Sequence, residues 1–187
     1  MPGLLDRFRD GADRLADALI GAPASTPDPS GATETDIAMM RRALELAQRA
    51  AQQDEVPVGA IVYRTGTGEI LAEAFNRREC DADPAAHAEL LAMRAAAKHI
   101  GDWRLTDCTV VVTLEPCPMC AGLIVNARVG RLVFGASDPK AGAVVSLYEL
   151  CADRRLNHRI EAIGGVLASE SSELLRGFFR SKRSQPH

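Results

Sequence analysis

The sequence is poor in aromatic residues, which make up 4% of its 187 residues. A hydrophobic core must therefore be built mainly from Leu, Val, Ile and Ala. The chain also lacks any apolar run near the ~20 residues that a transmembrane helix needs. Its N-terminal region has no continuous apolar stretch typical of a signal peptide, and four acidic residues there argue against a transit peptide: Asp6, Asp10, Asp13 and Asp17. We therefore expect a cytoplasmic protein without a membrane partner.

The five cysteines do not suggest a disulfide framework, because their number is odd and their spacing irregular. Cys117 and Cys120 are separated by two residues, a spacing that lets both sulfurs reach one metal ion. The other three are expected to behave as small buried hydrophobic residues: Cys80, Cys108 and Cys151.

The formal net charge of −3 does not by itself suggest a nucleic-acid partner. Its distribution is uneven, because the segment from Cys151 onward contains seven Lys or Arg against four Asp or Glu. A local positive surface can bind phosphates even on an acidic protein, since salt confines its field to about 8–10 Å. The same composition also fits a solvated helix end.

The pattern of residues divides the chain into an N-terminal extension, residues 1–33, and one domain over residues 34–187. Apolar residues at helical spacing, Leu4, Phe8, Leu15 and Leu19, indicate one helix in the extension, and disorder is the alternative. A stretch rich in Pro, Gly, Ser and Thr follows from Gly21 to Thr33 and is typical of a linker.

Within the domain, periodicity predicts strands that alternate with helices after an opening hairpin. This order favours an α/β fold with helices on both faces of a mixed sheet. The predicted elements are a helix from near Thr35 to Gln52, strands at 58–63 and 69–76, a helix from Asp83-Pro84 to His99, a strand at 109–114, a helix at 117–127, strands at 131–134 and 159–164, and a helix at 170–182.

Two short segments carry the chemistry of the chain: His87-Ala88-Glu89 and Pro116-Cys117-Pro118-Met119-Cys120. One imidazole and two thiols are one ligand short of a closed zinc site, so a fourth position would remain open for water, as in catalytic zinc sites. Glu89 is a candidate proton carrier that need not bind the metal. The combined pattern is typical of zinc-dependent nucleobase deaminases.

The positions of these residues also predict how they meet. His87 and Cys117 are expected in the first turns of helices opened by Pro84 and Pro116. Residues two apart lie about 200° around a helix axis, so His87 and Glu89 can share a target only off the helix end. Both helices should therefore direct their N-termini at the metal, where the helix dipole favours thiolates.

Other readings of these segments stay open. A C-x-x-C pair also occurs in redox proteins, and a fourth ligand such as Cys108 or His158 would make the zinc structural. Glu89 could be an ordinary surface carboxylate. The ligand set would also accept iron or cobalt.

From about Thr35 to Arg183 the chain resembles the bacterial tRNA-specific adenosine deaminases of the cytidine deaminase superfamily. The resemblance rests on seven segments: Glu55-Val-Pro-Val-Gly59, Asn76-Arg77, Ala86-His-Ala-Glu89, Thr113-Leu-Glu-Pro-Cys-Pro-Met-Cys-Ala-Gly122, Val133-Phe-Gly-Ala136 with Asp138 and Lys140, Asn157-His-Arg159, and Phe178-Phe-Arg180. It implies a three-layer α/β/α sandwich with a central mixed five-stranded sheet, and a homodimer with one Zn²⁺ per subunit. It also implies hydrolysis of the wobble adenosine of a tRNA anticodon loop to inosine, with release of ammonia.

The resemblance also assigns roles to residues. His87, Cys117 and Cys120 would bind zinc and Glu89 would move protons. The implied substrate-binding residues are Asn76, which would hold the flipped nucleotide, Asp138 and Lys140 at its entrance, and Phe178, Phe179 and Arg180 against the neighbouring anticodon nucleotides. The alternative for the two phenylalanines is core packing, and for Asn76 a hydrogen bond in a turn or at a strand end.

Two other functions compete with tRNA editing. A deaminase of a free nucleobase or nucleotide, such as guanine or cytosine, would share the zinc chemistry but would need no basic RNA-binding surface. A catalytically silent RNA-binding protein could retain zinc for stability alone.

Overall fold

The computed structural model of the protein describes residues 28–184. In that range the chain forms five strands, β1 (Gly59–Arg64), β2 (Ile70–Phe75), β3 (Cys108–Leu114), β4 (Arg131–Ala136) and β5 (Glu161–Ile163). Its α-helices there are α1 (Glu34–Gln52), α2 (Ala88–Ile100), α3 (Pro118–Asn126) and α4 (Ala168–Ser184). The helix predicted in the extension, and the part of the predicted linker up to residue 27, lie outside the described residues.

The strands form one mixed sheet in the order β2-β1-β3-β4-β5. β1 is antiparallel to both β2 and β3, whereas β3, β4 and β5 are parallel. Helices α2 and α3 cover one face through one hydrophobic cluster, and α1 covers the other face through a second cluster. Helix α4 packs beside α1 against β3 and β4. The predicted three-layer α/β/α fold with a mixed five-stranded sheet is confirmed.

The central strand β3 shows why an aromatic-poor sequence suffices for this core. Val110 and Val112 face the α2–α3 layer, Val111 faces α1, and all three are fully buried. A strand covered on both faces needs a continuous apolar run. Each such valine contributes about 1.5–3 kcal/mol through burial.

Helix α1 begins with a capping box formed by Thr33 and Asp36. The Thr33 hydroxyl accepts a hydrogen bond from the Asp36 backbone N–H, and the Asp36 carboxylate accepts one from the Thr33 N–H. Just before it, Gly31 lies against Ile163, and its carbonyl accepts a hydrogen bond from Arg131. The last residues of the predicted extension therefore contact the domain.

The start of α2 differs from the expected one. The helix begins at Ala88, not at Asp83-Pro84, and His87 is its N-cap in an extended conformation. Asp83 instead closes a tight turn, since its carboxylate accepts a hydrogen bond from the Ala85 N–H and its carbonyl accepts one from the Ala86 N–H. The Asp-Pro pair that resembles a helix start here belongs to a turn.

Helix α3 begins one residue later than expected, because Cys117 is its N-cap and Pro118 occupies the first turn.

Of the three cysteines expected to be buried, Cys108 and Cys151 are buried and Cys80 is exposed. Gly59 lets β1 approach α1 closely, since a Cβ there would overlap the backbone of Ala43 and Ala47. No helix within residues 28–184 is both long and apolar enough to span a bilayer.

Candidate metal centre and active site

Several of the predicted site residues lie at one edge of the sheet, where three of its strands end. Strands β2, β3 and β4 run in the same direction, so their carboxyl ends meet at that edge. Asn76 follows β2, Cys117 follows β3 and Asp138 follows β4. In open α/β sheets this is the edge where ligands bind.

The three predicted metal ligands meet there. The ligand atoms of His87, Cys117 and Cys120 all lie within 4.8 Å of one another. Nδ1 of His87 is 3.7 Å from Sγ of Cys117 and 3.5 Å from Sγ of Cys120. A tetrahedral zinc ion, with bonds of about 2.3 Å to sulfur and about 2.0 Å to nitrogen, would place each S and N about 3.5 Å apart. The donor set and its spacing therefore fit zinc.

Two helix N-termini position these ligands. His87 is the N-cap of α2 and Cys117 the N-cap of α3, and neither side chain caps its own helix by a hydrogen bond. Both side chains are thus left for another partner. The structure agrees with the expectation that both helices direct their N-termini at one point.

The electrostatics of the cysteine pair favour a thiolate. A hydrogen bond from the Cys120 thiol lowers the pKa of Cys117 to about 4, and the same interaction raises the pKa of Cys120. The hydrogen bond to Cys117 also raises the pKa of His87. A divalent cation bound to both sulfurs would deprotonate both thiols.

Glu89 lies in the first turn of α2 and is 4% exposed. Because it is buried, Glu89 is not an ordinary surface carboxylate. Desolvation raises the pKa of this carboxyl group, which keeps it able to hold a proton as well as release one.

Within the described residues the donor group has three members and no fourth ligand. Cys108 opens β3 at the opposite edge of the sheet. Nε2 of His158 is 2.8 Å from the carbonyl oxygen of Val129, which lies just before β4. The described residues thus provide the open set expected of a catalytic site.

Sequence reasoning gave no role to Glu115, which is 2% exposed and immediately precedes Pro116. Its carboxylate accepts hydrogen bonds of 2.8–3.1 Å from four backbone N–H groups of the loop after β4: those of Asp138, Val144, Val145 and Ser146. A Cβ at Gly142 would overlap this carboxylate. Glu115 thus fastens that loop to the segment between β3 and α3, directly before the cysteine ligands.

The motif Glu55–Gly59 does not by itself reveal a role for Glu55 either. It is fully buried before β1, and its Oε2 accepts a 2.9 Å hydrogen bond from Nδ2 of Asn76. Asn76 itself is 6% exposed. The backbone N–H of Asn76 also donates a hydrogen bond at the strand end, to the carbonyl of Val58. The alternative considered for Asn76 is thus present, and its contact with a nucleotide stays a prediction.

The structure places Asp138 and Lys140 in the loop fastened by Glu115. Asp138 is 6% exposed, and its carboxylate accepts hydrogen bonds from the backbone N–H groups of Lys140 and Ala141. Burial raises the pKa of Asp138. In this conformation Asp138 shapes the loop, and a contact with substrate stays a prediction.

Phe178 and Phe179 pack in a core cluster with Leu175 and are 7% and 4% exposed. Their rings meet edge to face, with centroids 5.4 Å apart. The cluster's neighbours come from other elements: Ala51, Val56 and Leu114. Packing therefore occupies both rings, whereas Arg180 on the same helix is exposed. Contacts of these three residues with RNA stay predictions.

The chain is similar to known deaminases in both sequence and structure. The family model of the MafB19-like deaminases matches residues 34–183. The tRNA-specific adenosine deaminase of Haemophilus influenzae is 46% identical over 153 residues, which cover 82% of this chain and 88% of that protein. The enzyme of the same name from Bacillus subtilis is 45% identical over 78% of this chain and 89% of its own length.

Solved structures agree with the sequence relatives. One, from a study of A-to-I editing by tRNA:A34 deaminases at the wobble position of transfer RNA, is 40% identical with a TM-score of 0.70. The alignment covers 74% of this chain and 99% of that chain. A guanine deaminase from Nitrosomonas europaea has a TM-score of 0.69 at 25% identity, over 89% of this chain and 92% of its own. The TM-scores of the tRNA:A34 deaminase structure and the guanine deaminase are nearly equal, but the sequence identity to the former is higher. The chain belongs to the MafB19-like deaminases and, among them, to the family of tRNA-specific adenosine deaminases.

Proposed function

We propose that this protein hydrolyses the wobble adenosine of a tRNA anticodon loop to inosine and releases ammonia. The observation that carries the proposal is the meeting of His87, Cys117 and Cys120, with the buried Glu89 in hydrogen-bond contact with Cys120. The relatives named tRNA-specific adenosine deaminases, at 46% and 45% identity, support adenosine in tRNA as the substrate. The expected cytoplasmic location is part of the same proposal.

The proposed cofactor is one Zn²⁺ per subunit, held by His87, Cys117 and Cys120. Bound there, zinc would supply the Lewis acidity that makes hydrolysis of an amino-purine possible at neutral pH. The protein's own part is to keep one imidazole and two sulfurs converged at two helix ends.

Glu89 is the proposed proton carrier. Its buried carboxylate would accept a proton from the attacking water and deliver it to the purine ring nitrogen. It would then accept the proton of the new hydroxyl group and deliver it to the amine, which departs as ammonia. A group that both accepts and donates works best with a pKa nearer neutrality than that of a free carboxyl group. Burial shifts the pKa of Glu89 in that direction.

Asn76 is proposed to hold the flipped nucleotide, and the loop of Asp138 and Lys140 to line its entrance. Both follow strand ends at the edge where the metal ligands converge. Arg180 would contact the phosphates of the neighbouring nucleotides. Phe178 and Phe179 would stack on unpaired bases there if α4 shifts on binding.

A homodimer is the proposed assembly. Four large apolar side chains beside the site are 39–56% exposed: Met119, Val145, Leu147 and Tyr148. Such exposed groups suit a protein interface. Light scattering on the purified protein would measure its mass, and a monomer at assay concentration would contradict this part.

The substrate is tested with zinc-loaded protein and an unmodified tRNA that carries adenosine at the wobble position. Inosine at that position, read by sequencing, is the expected product. The matched control is the same tRNA with guanosine there. Absence of inosine would overturn the substrate assignment, and metal analysis of the same preparation would report separately on zinc.

Guanine deamination is the second candidate, because the guanine deaminase from Nitrosomonas europaea shares the fold. Ammonia release from free guanine and from an anticodon stem-loop would separate the two functions. Faster turnover of the free base would favour this candidate.

A further inference from the structure

Glu55 is a buried carboxylate that the proposed chemistry does not use. It lies between α1 and β1 and is fully buried. Burying a carboxylate is unfavourable unless hydrogen bonds replace its hydration. Its hydrogen bonds among the described residues all go to the segment that follows β2, which begins with Asn76.

The two oxygens of Glu55 do different things. Oε1 accepts hydrogen bonds from the backbone N–H groups of Glu79, at 2.9 Å, and Cys80, at 2.7 Å. Oε2 accepts one from Nδ2 of Asn76, at 2.9 Å. One oxygen therefore holds the loop, and the other holds a single side chain.

This contact decides the orientation of the Asn76 amide. The two ends of an Asn amide have nearly the same shape but opposite hydrogen-bonding character, and a carboxylate only accepts. Glu55 must therefore meet the NH₂ end, and a flipped amide would set two acceptors against each other. The backbone N–H of Asn76 is held by Val58 at the same time.

We propose that Glu55 is a positioning residue for deamination, which holds the Asn76 amide in one orientation so that the same edge always faces the nucleotide. The inference rests on the proposed function, in which Asn76 contacts the nucleotide. Glu55 acts through Asn76 and does not touch the substrate.

The variant Glu55→Gln tests this role with little change of shape. The side-chain carbonyl oxygen of the introduced glutamine should face the backbone N–H groups of Glu79 and Cys80. With the opposite orientation of this amide, its NH₂ group would face those two N–H donors. In the expected orientation the NH₂ group meets Asn76, whose amide must flip to accept. We expect kcat/KM for an anticodon stem-loop to fall about tenfold to a hundredfold, while zinc content and Tm change little.

The matched control is Glu79→Gln. Glu79 is exposed in the same loop, so this change removes the same charge without touching the Asn76 amide. We expect unchanged kcat/KM. An equal loss in the control would assign the effect to charge alone and overturn the proposal.

A double-mutant cycle separates positioning from general support of the loop. If Glu55 acts through Asn76, E55Q should change kcat/KM less than about twofold in the N76A background. Independent, multiplying losses would overturn the inference. Wild-type kinetics of N76A would refute both the inference and the proposed nucleotide contact, whereas a deficient N76A beside a fully active E55Q would refute the inference alone.

A measurement on the wild-type protein keeps the test valid if E55Q unfolds. The side-chain amide resonances of Asn76 are identified by their absence in N76A. We expect one of the two protons to be strongly protected from solvent exchange by its bond to Glu55. Rapid exchange of both would contradict the proposed contact.

Discussion

The two ends of the sheet each bury a carboxylate, but they surround it differently. At the site edge Glu89 is 4% exposed and in hydrogen-bond contact with Cys120 of the metal-ligand group. At the opposite edge Asp36 is fully buried, and its partners are donors: Arg131 at 2.7 Å, the Tyr63 hydroxyl at 2.6 Å and the Thr33 N–H at 2.7 Å. Asp36 thus has a guanidinium as its permanent counter-charge, whereas Glu89 lies beside the proposed metal ligands.

The pKa values move in opposite directions as a result. Burial raises the pKa of Glu89. Burial alone would also raise the pKa of Asp36, but the hydrogen bonds from Arg131, Tyr63 and Thr33 together hold it below its usual value. Burial by itself therefore does not distinguish a structural carboxylate from a reactive one. The partners do.

The largest expected effect comes from removing the reactive member of the pair. Glu89→Ala should lower kcat on an anticodon stem-loop by several orders of magnitude, at or beyond the ~10²–10⁴-fold typical of general acid–base groups. Folding and zinc content should survive, because Glu89 is not one of the three converging ligand groups. Single-turnover kinetics, circular dichroism and metal analysis measure the three quantities.

Asp36→Asn is the counterpart at the other edge and should leave kcat unchanged. If E89A kept wild-type turnover, Glu89 would not be the proton carrier. If D36N lost turnover while folded, the two edges would not be functionally separate.

Loss of a ligand should be nearly as damaging as loss of Glu89. Cys120→Ser replaces a fully buried sulfur with a harder, smaller donor, so bound zinc should fall together with activity. Cys108→Ser is the control, because Cys108 is also buried but at the opposite edge. Metal analysis after dialysis checks both variants, and full zinc retention by C120S would contradict the proposed ligand set.

The ligands could be predicted from the sequence because each lies in a short motif beside a helix start. Other features depend on distant parts of the chain. Glu55 meets Asn76 across 21 residues, and Glu115 meets Ser146 across 31. No local pattern connects such pairs, so both carboxylates were recognised as parts of motifs without a role.

The helix boundaries show the same limit at short range. Asp83-Pro84 has the residues of a helix start, yet the turn it forms delays α2 until Ala88. That delay makes His87 an N-cap. The choice between turn and helix depends on packing of the 76–86 segment, including the bond from the Arg77 N–H to the Ala86 carbonyl, which periodicity does not reveal.

A stability effect of middle size should follow from breaking the Asp36 pair. Asp36→Asn leaves Arg131, whose side chain is 11% exposed, without its buried counter-charge. Removing one partner of a buried ion pair costs about 3–5 kcal/mol. Urea unfolding measures the change, and a loss below ~1 kcal/mol would mean that Glu161, 3.7 Å from Arg131, or water replaces the carboxylate.

The same pair predicts a pH dependence. The folded pKa of Asp36 is lowered, so its stabilising contribution is present above its unfolded pKa of about 3.9 and is lost as the pH falls through the folded value. The difference in unfolding free energy between wild type and D36N should therefore shrink below about pH 4. Urea titrations at several pH values check this, and a constant difference would contradict it.

The smallest expected effect concerns the helix cap that brings Asp36 to Arg131. Thr33→Ala removes the hydroxyl that accepts from the Asp36 N–H, so it should lower stability by about 1 kcal/mol. Thr35→Ala is the control, because Thr35 is exposed inside the first turn and its side chain does not take part in the capping box. Thermal unfolding resolves such a difference. Equal melting temperatures of the two variants would show that the threonine cap adds nothing to the start of α1. The carboxylate of Asp36, bonded to Arg131 and Tyr63, would then hold that helix start, and the edge opposite the site would depend on its ion pair alone.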